Sequence, residues 1–144
     1  MPGSMSDFLE VACLNSSLRG VAFPVPTNVF ISLHTANPTD ANVTSTEVTT
    51  AIWPGYVRQN AAGGGAIATG WAVPTSGAGS TSNAQIITFP AQGSATPVTV
   101  THFGLYDAAT GGNLLYWASL NVTKTLNQTD VLTLPVGAII ANLD

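Results

Sequence analysis

Residues Thr99 to Leu120, TVTHFGLYDAATGGNLLYWASL, carry the clearest structural pattern in the chain. Two runs of apolar, β-branched and aromatic residues, Val100 to Tyr106 and Leu114 to Leu120, flank the polar segment DAATGGN at residues 107–113. Glycine and asparagine tolerate the positive φ values that tight turns require. The stretch therefore predicts a β-hairpin. It also contains His102 and an aspartate, so it is the first place to look for chemistry.

Charged residues are scarce throughout the chain. They make up 7% of its residues, against roughly 25% in an ordinary soluble domain. The formal net charge is −4, with only three basic residues: Arg19, Arg58 and Lys124. A nucleic-acid binder needs clustered Lys and Arg to neutralise phosphates. Nucleic acid is therefore not expected as a partner.

The length and the apolar content predict one folded domain spanning residues 1–144. Hydrophobic residues make up 45% of the sequence, too many for a disordered chain. No run approaches the roughly 18 consecutive apolar residues of a membrane span, so no membrane partner is expected. A surface with so few charges is typical of a subunit in a permanent assembly, since interface cores lack Lys, Glu and Asp. A secreted Thr-rich β-domain is the alternative.

One amphipathic helix is predicted near the amino terminus, over residues 6–19. Gly20 supplies its stop signal, and apolar residues recur within it at helical spacing: Phe8, Val11, Leu14 and Leu18. Such a face either covers the open end of a β-domain or docks on a neighbouring subunit. Residues 1–5, ahead of the helix, are expected to be an N-terminal arm or a tag remnant.

The remainder of the chain, residues 27–141, reads as a β-domain. Short alternating segments such as 27–34 and 84–89 are separated by turns rich in Gly, Pro, Asn and Ser, and 47–52 adds a short edge strand. The end of the chain, 130–141, predicts a last strand or pair of strands. About eight short strands follow one another with no helix between them. This order indicates an all-β fold, either an antiparallel β-sandwich or a jelly-roll-like barrel.

Catalytic and metal-binding motifs are not found in the sequence. Neither His34 nor His102 lies within a zinc-ligand spacing, and no strained nucleophile turn such as G-x-S-x-G occurs. Cys13, the single cysteine, lies among apolar neighbours and is expected to be a buried, inert thiol. Asp107 is expected to accept hydrogen bonds within its own turn. We therefore expect no enzyme activity, no cofactor and no metal.

The three tryptophans, Trp53, Trp71 and Trp117, allow two interpretations. Aromatic faces can stack on sugar rings, which would make a carbohydrate-binding platform. Large aromatic residues also anchor cores and interfaces. The second interpretation is favoured.

Several blocks of the sequence resemble a known family. They are SDFLEVACLNSSLRG, LHTANPTDA, GYVRQ, IITFP and, most specifically, VTHFGLYDAATGGNLLYWASL followed by KTL. Together they resemble small tailed-phage virion proteins, whose members are often labelled tail-fibre proteins. Similar small β-domains serve as capsid cement or decoration proteins. The resemblance implies a structural role and supplies no catalytic motif.

These observations predict a non-enzymatic phage virion protein, assembled in the bacterial host cytoplasm and located at the capsid surface. We expect a capsid cement protein that binds across major capsid protein junctions and stabilises the head. It would form a homo-oligomer, a trimer or a dimer, as its low charge suggests. The expected interface or core anchors are Phe8, Leu14, Leu18, Trp53 and Trp117. A tail or fibre component is the alternative, including a receptor- or carbohydrate-binding module.

Overall fold

A computed structural model describes residues 2–74, 77 and 79–143, and within these residues the chain forms nine strands and one α-helix. In chain order the elements are β1 Pro2–Met5, α1 Asp7–Arg19, β2 Phe30–His34, β3 Gln59–Asn60, β4 Ser80–Ser82, β5 Ile87–Thr88, β6 Val98–Tyr106, β7 Leu114–Leu126, β8 Thr133–Leu134 and β9 Ile140–Asn142. Short 3₁₀ helices lie at Thr44–Thr46 and Ile67–Gly70.

The predicted hairpin is confirmed as β6 and β7. The two strands are antiparallel, with Gly104 opposite Trp117 and Phe103 opposite Ala118. Both strands are longer than predicted, because Thr99 pairs with Thr125 beyond an irregular region of β7. The hairpin occupies the middle of a seven-stranded sheet of order β3-β2-β6-β7-β1-β9-β4.

The segment expected as an arm or tag remnant is strand β1, within the sheet. Ser4 lies opposite Trp117 in an antiparallel pairing with β7, and Gly3 lies opposite Ala141 in a parallel pairing with β9. Met1 lies outside the described residues. The strand therefore joins the hairpin half of the sheet to the β9-β4 half.

Helix α1 begins and ends close to the predicted bounds. Ser6 is its N-cap, and its hydroxyl accepts a hydrogen bond from the Leu9 backbone amide at 3.3 Å. Gly20 ends the helix in the left-handed conformation, with φ 68°. The face that packs on the sheet contains Leu9 and Ala12. Of the predicted stripe, Phe8 is half-buried against the core, whereas Val11, Leu14 and Leu18 face outward. Among the described residues, no helix is long and apolar enough to span a bilayer.

The hydrophobic core lies between the sheet and the layer that includes the small β5-β8 ribbon. Its most deeply buried large side chains are Trp53, Phe89, Phe103, Ile31, Leu33, Leu105 and Ile139. The fold is sandwich-like, as predicted. The barrel alternative is wrong, because β3 and β4 end the seven-stranded sheet at opposite edges and do not pair with each other.

Other predicted strands are shorter in the structure. Of 84–89 only Ile87–Thr88 pairs, and 47–52 contributes a single bridge from Glu47 to His34. The backbone near residue 83 is bonded instead by a buried side chain: Asn83 Nδ2 donates to the carbonyls of Gln85 and Pro135, and its Oδ1 accepts from Ile139 N. Side-chain bonds of this kind replace ladder bonds, which period-two patterning cannot predict.

Candidate functional site

The turn of the β6-β7 hairpin is closed by its own aspartate. Asp107 accepts hydrogen bonds from the Asn113 backbone amide at 2.7 Å and from Asn113 Nδ2 at 2.8 Å. Gly111 and Gly112 follow with φ values of 60° and 73°, which glycine adopts without steric cost. The prediction that Asp107 bonds within its turn is confirmed.

Arg58 fixes this turn from outside the hairpin. Its Nε and Nη2 donate to the two oxygens of Glu47 at 2.8 and 2.7 Å, a bidentate ion pair. Its Nη1 donates to the carbonyls of Ala108 and Gly111 at 2.9 and 2.7 Å. The guanidinium carbon lies 3.6 Å from the centre of the Tyr106 ring, within cation–π range. We call this set of contacts the Arg58 latch.

Burial and the Arg58–Glu47 ion pair shift the pKa values of the groups in and around the latch. Burial alone would lower the pKa of Arg58, but the hydrogen bond and charge of Glu47 outweigh it and raise that pKa above its ordinary value. Burial raises the pKa of Tyr106 to about 12 and also raises the pKa of Tyr56. Tyr56 Oη accepts from the Leu33 amide at 2.9 Å. These groups therefore keep their ordinary protonation states at neutral pH and hold structure.

His34 is fully buried and hydrogen-bonded at both ring nitrogens. Nδ1 lies 2.9 Å from Thr46 Oγ1, and Nε2 lies 2.9 Å from Ser32 Oγ. The Thr46 hydroxyl also lies 2.8 Å from Val43 O and the Ser32 hydroxyl 3.2 Å from Gly104 O, so both ring nitrogens are hydrogen-bonded in either neutral tautomer. Desolvation lowers the pKa of His34 to about 4. The ring is a neutral structural group with no free nitrogen for a metal or a substrate.

His102 lies directly opposite His34 in the β2-β6 register but in a different environment. It is half-buried, its Nδ1 is 2.8 Å from Thr101 Oγ1, and burial lowers its pKa. Its ring centre is 6.2 Å from that of Trp117. Cys13 is free and half-buried. Within residues 2–74, 77 and 79–143, no three His, Cys, Asp or Glu side chains group as metal ligands would.

The predicted anchors lie at separate places. Trp53 is fully buried in the core, where Nε1 donates to Ala91 O at 3.2 Å. Trp117 is half-buried and donates to Asp40 Oδ1 at 2.7 Å. Phe8 is half-buried against the core, while Leu14 and Leu18 are 58% and 78% exposed. Only the two leucines lie on an open surface.

Two apolar depressions flank α1. One, of about 480 Å³, lies between the helix and the chain after it and is lined mainly by Phe8, Val11, Ala12, Val21, Ala22 and Pro24. The other, of about 370 Å³, is lined mainly by apolar side chains that include Leu9, Phe23, Trp71, Leu115 and Leu143. Apolar linings of this kind suit docking of protein surface rather than polar chemistry.

A comparison with protein families matches nearly the whole chain. The model of a family described as Podophage GP4 fiber I protein gp80 matches residues 4–142. The chain belongs to this family. The match runs from β1 to β9 and includes the hairpin and the Arg58 latch, so the resemblance to tailed-phage virion proteins is confirmed. No curated protein matches the chain.

Sequence reasoning missed the latch of this fibre-family protein. No motif in the sequence connects Arg58 with Glu47, yet they form an ion pair with side chains 5% and 15% exposed. One signal was available. In a chain with three basic residues, the arginine of the GYVRQ block lies within a β-rich region, where burial requires a partner.

Proposed function

We propose that the protein is a non-enzymatic structural subunit of the tail-fibre apparatus of a phage. The observation that carries this proposal is the match of the fibre family to residues 4–142. Tail-fibre location also agrees with the alternative that the sequence blocks suggested. The protein works by holding a rigid β-scaffold and presenting surfaces to other virion subunits.

The geometry of the polar side chains supports a structural role. His34 uses both ring nitrogens in buried hydrogen bonds, and Arg58 uses its donors on Glu47 and the hairpin turn. Asp107 bonds to Asn113. A general base or a nucleophile needs an accessible atom beside a substrate, and these groups are committed to holding the fold instead.

The surface of α1 supports assembly. Val11, Leu14 and Leu18 are each more than half exposed on one face of the helix. Exposed apolar patches of this kind mark interaction sites in soluble proteins. The partners we propose are further copies of the chain and adjoining virion proteins.

The cement role stays a prediction, with the major capsid protein as its partner and the capsid surface as its location. So does a receptor- or carbohydrate-binding module. The indole N–H of Trp117 is already bonded to Asp40, and Trp53 is in the core, which disfavours a shared sugar platform built from these rings. The family match favours the fibre.

Copy number and position in the particle test the proposal. Quantitative mass spectrometry of purified virions, with the major capsid protein as the internal standard, should give a few dozen copies or fewer. Antibody labelling in electron micrographs should mark the tail. Several hundred copies per particle with label over the head would overturn the fibre assignment and support the cement role.

A further inference from the structure

We propose that the outer face of α1 is a self-association surface, on which α1 of a second copy packs antiparallel about a two-fold axis. This inference deepens the proposed structural role by naming the partner, and it rests on that role only in placing the dimer within the virion. The surface consists of Val11, Leu14, Leu18 and, beside the helix, Val21.

The spacing of the outer stripe is that of a helix–helix seam. Val11, Leu14 and Leu18 follow one another at intervals of three and four residues, the repeat with which helices interlock along a shared face. The opposite face, with Leu9 and Ala12, already packs on the sheet. A helix that is apolar on two sides needs a partner on each, and the stripe spacing indicates that the second partner is also a helix.

The surface has both projections and a recess. Leu14 and Leu18 project, with 58% and 78% of their surface exposed. Val11 and Val21 border the adjacent depression of about 480 Å³. The four residues expose on the order of 400 Å² per copy, about half of the roughly 800 Å² that each partner buries in a standard interface. Polar helix residues around them would supply the rim.

Charge selects the orientation of the two helices. The first turn of α1 contains Asp7 and Glu10, and the last turn contains Arg19. A parallel pair would set Asp7 beside Asp7 of the partner subunit, and like charges repel. An antiparallel pair sets the acidic first turn level with the basic last turn of its partner and opposes the two helix dipoles.

The two-fold arrangement fixes which residues meet. With the axis between Leu14 and Asn15, Val11 of one copy lies beside Leu18 of the partner subunit, and the two Leu14 side chains meet near the axis. A second copy is the occupant that this pattern fits, because α1 itself supplies the matching stripe and the complementary ends.

Sedimentation velocity of the full chain, from micromolar to millimolar concentration, tests the surface. The wild-type protein should reach a dimer, and Leu14→Glu or Leu18→Glu should weaken dimer formation by about tenfold or more. Val136→Glu is the matched control, since Val136 is 59% exposed but outside this surface. Circular dichroism verifies that each variant is folded. If a glutamate variant of the surface does not fold, Leu18→Ala is measured in its place.

Disulfide trapping tests the orientation. In a Cys13→Ala background, Val11→Cys protein mixed with Leu18→Cys protein should form the mixed cross-link in excess over the Leu18→Cys homodimer. A predominant Leu18→Cys homodimer would overturn the antiparallel arrangement. A wild-type monomer across the whole series, or an oligomer that persists in Leu18→Glu, would overturn the surface.

The two proposals fail in different ways. Virion copy number and labelling decide where the protein lies, whatever its state in solution. Sedimentation and trapping decide whether α1 pairs with α1, whichever part of the particle contains the pair.

Discussion

The Arg58 guanidinium lies between Glu47, on the chain after β2, and the turn of the central hairpin, with Nη2 2.7 Å from Glu47 Oε2 and Nη1 2.7 Å from Gly111 O. One side chain therefore ties two segments that are more than fifty residues apart in sequence to each other. Because it uses three of its nitrogens and stacks on Tyr106, lysine cannot reproduce its contacts.

Loss of the latch should destabilise the protein strongly. Arg58→Ala leaves the half-buried Glu47 carboxylate without its partner, and the loss should be about 2–4 kcal/mol, between the values for exposed and for fully buried ion pairs. Urea unfolding followed by tryptophan fluorescence measures the free energy of unfolding. Lys124→Ala is the control: Lys124 is an exposed cation, so its loss should change stability by no more than about 0.5 kcal/mol. Equal losses in the two variants would contradict the latch.

Neighbouring glycines of the hairpin turn should respond differently to alanine. A Cβ on Gly112 would collide with the Asp107 carboxylate and come within 2.7 Å of Ala108 Cβ, whereas a Cβ on Gly111 meets no atom within 4 Å. Both residues have positive φ, so Gly111→Ala should lose about 1 kcal/mol and Gly112→Ala about 3 kcal/mol or more. Thermal unfolding compares them. A larger loss in Gly111→Ala would refute this geometry of the turn.

Stability should fall in mildly acidic solution because of His34. Desolvation holds the pKa of folded His34 at about 4, below the ordinary 6.5, while Glu47 opposes this shift and Arg58 and His102 add to it. The unfolded state therefore binds more protons below pH 6.5, and about 3 kcal/mol of stability is lost between pH 6.5 and 4. Urea midpoints across this range measure the slope.

Substitution can separate the contribution of His34 to the pH dependence of stability from that of the carboxylates. His34→Gln should flatten the slope between pH 6.5 and 4, whereas His102→Gln, at a half-buried position, should leave most of it. An unchanged slope in His34→Gln would exclude His34 as the cause.

Features set by local pattern were predictable from the sequence. The hairpin combines alternating residues with a glycine turn at residues 111–112, and α1 is bounded by Ser6 and Gly20, so both elements were found close to their observed positions. The short strands β3 and β4 were not, and β5 was predicted over the longer range 84–89, because two- or three-residue ladders exist only through distant partners.

At the candidate sites, too, local contacts were predictable from the sequence and contacts between distant segments were not. The bonds of Asp107 lie within its own turn and were predicted, while the partner of Arg58 depends on how β2 and the hairpin meet. The orientation of α1 could not be read either, since Leu9 and Ala12 on one face and Val11, Leu14 and Leu18 on the other are all apolar.

The position of β1 in the sheet determines when the sheet can be completed during synthesis of the chain. It precedes the other eight described strands in the chain, yet its neighbours in the sheet are β7 and β9, at residues 114–142. Until those residues have been synthesised, both edges of β1 lack their partners and the halves of the sheet stay unconnected. Pairings so distant in sequence form slowly. The sheet is therefore completed only after β9 has been made, and the nascent chain must stay soluble until then.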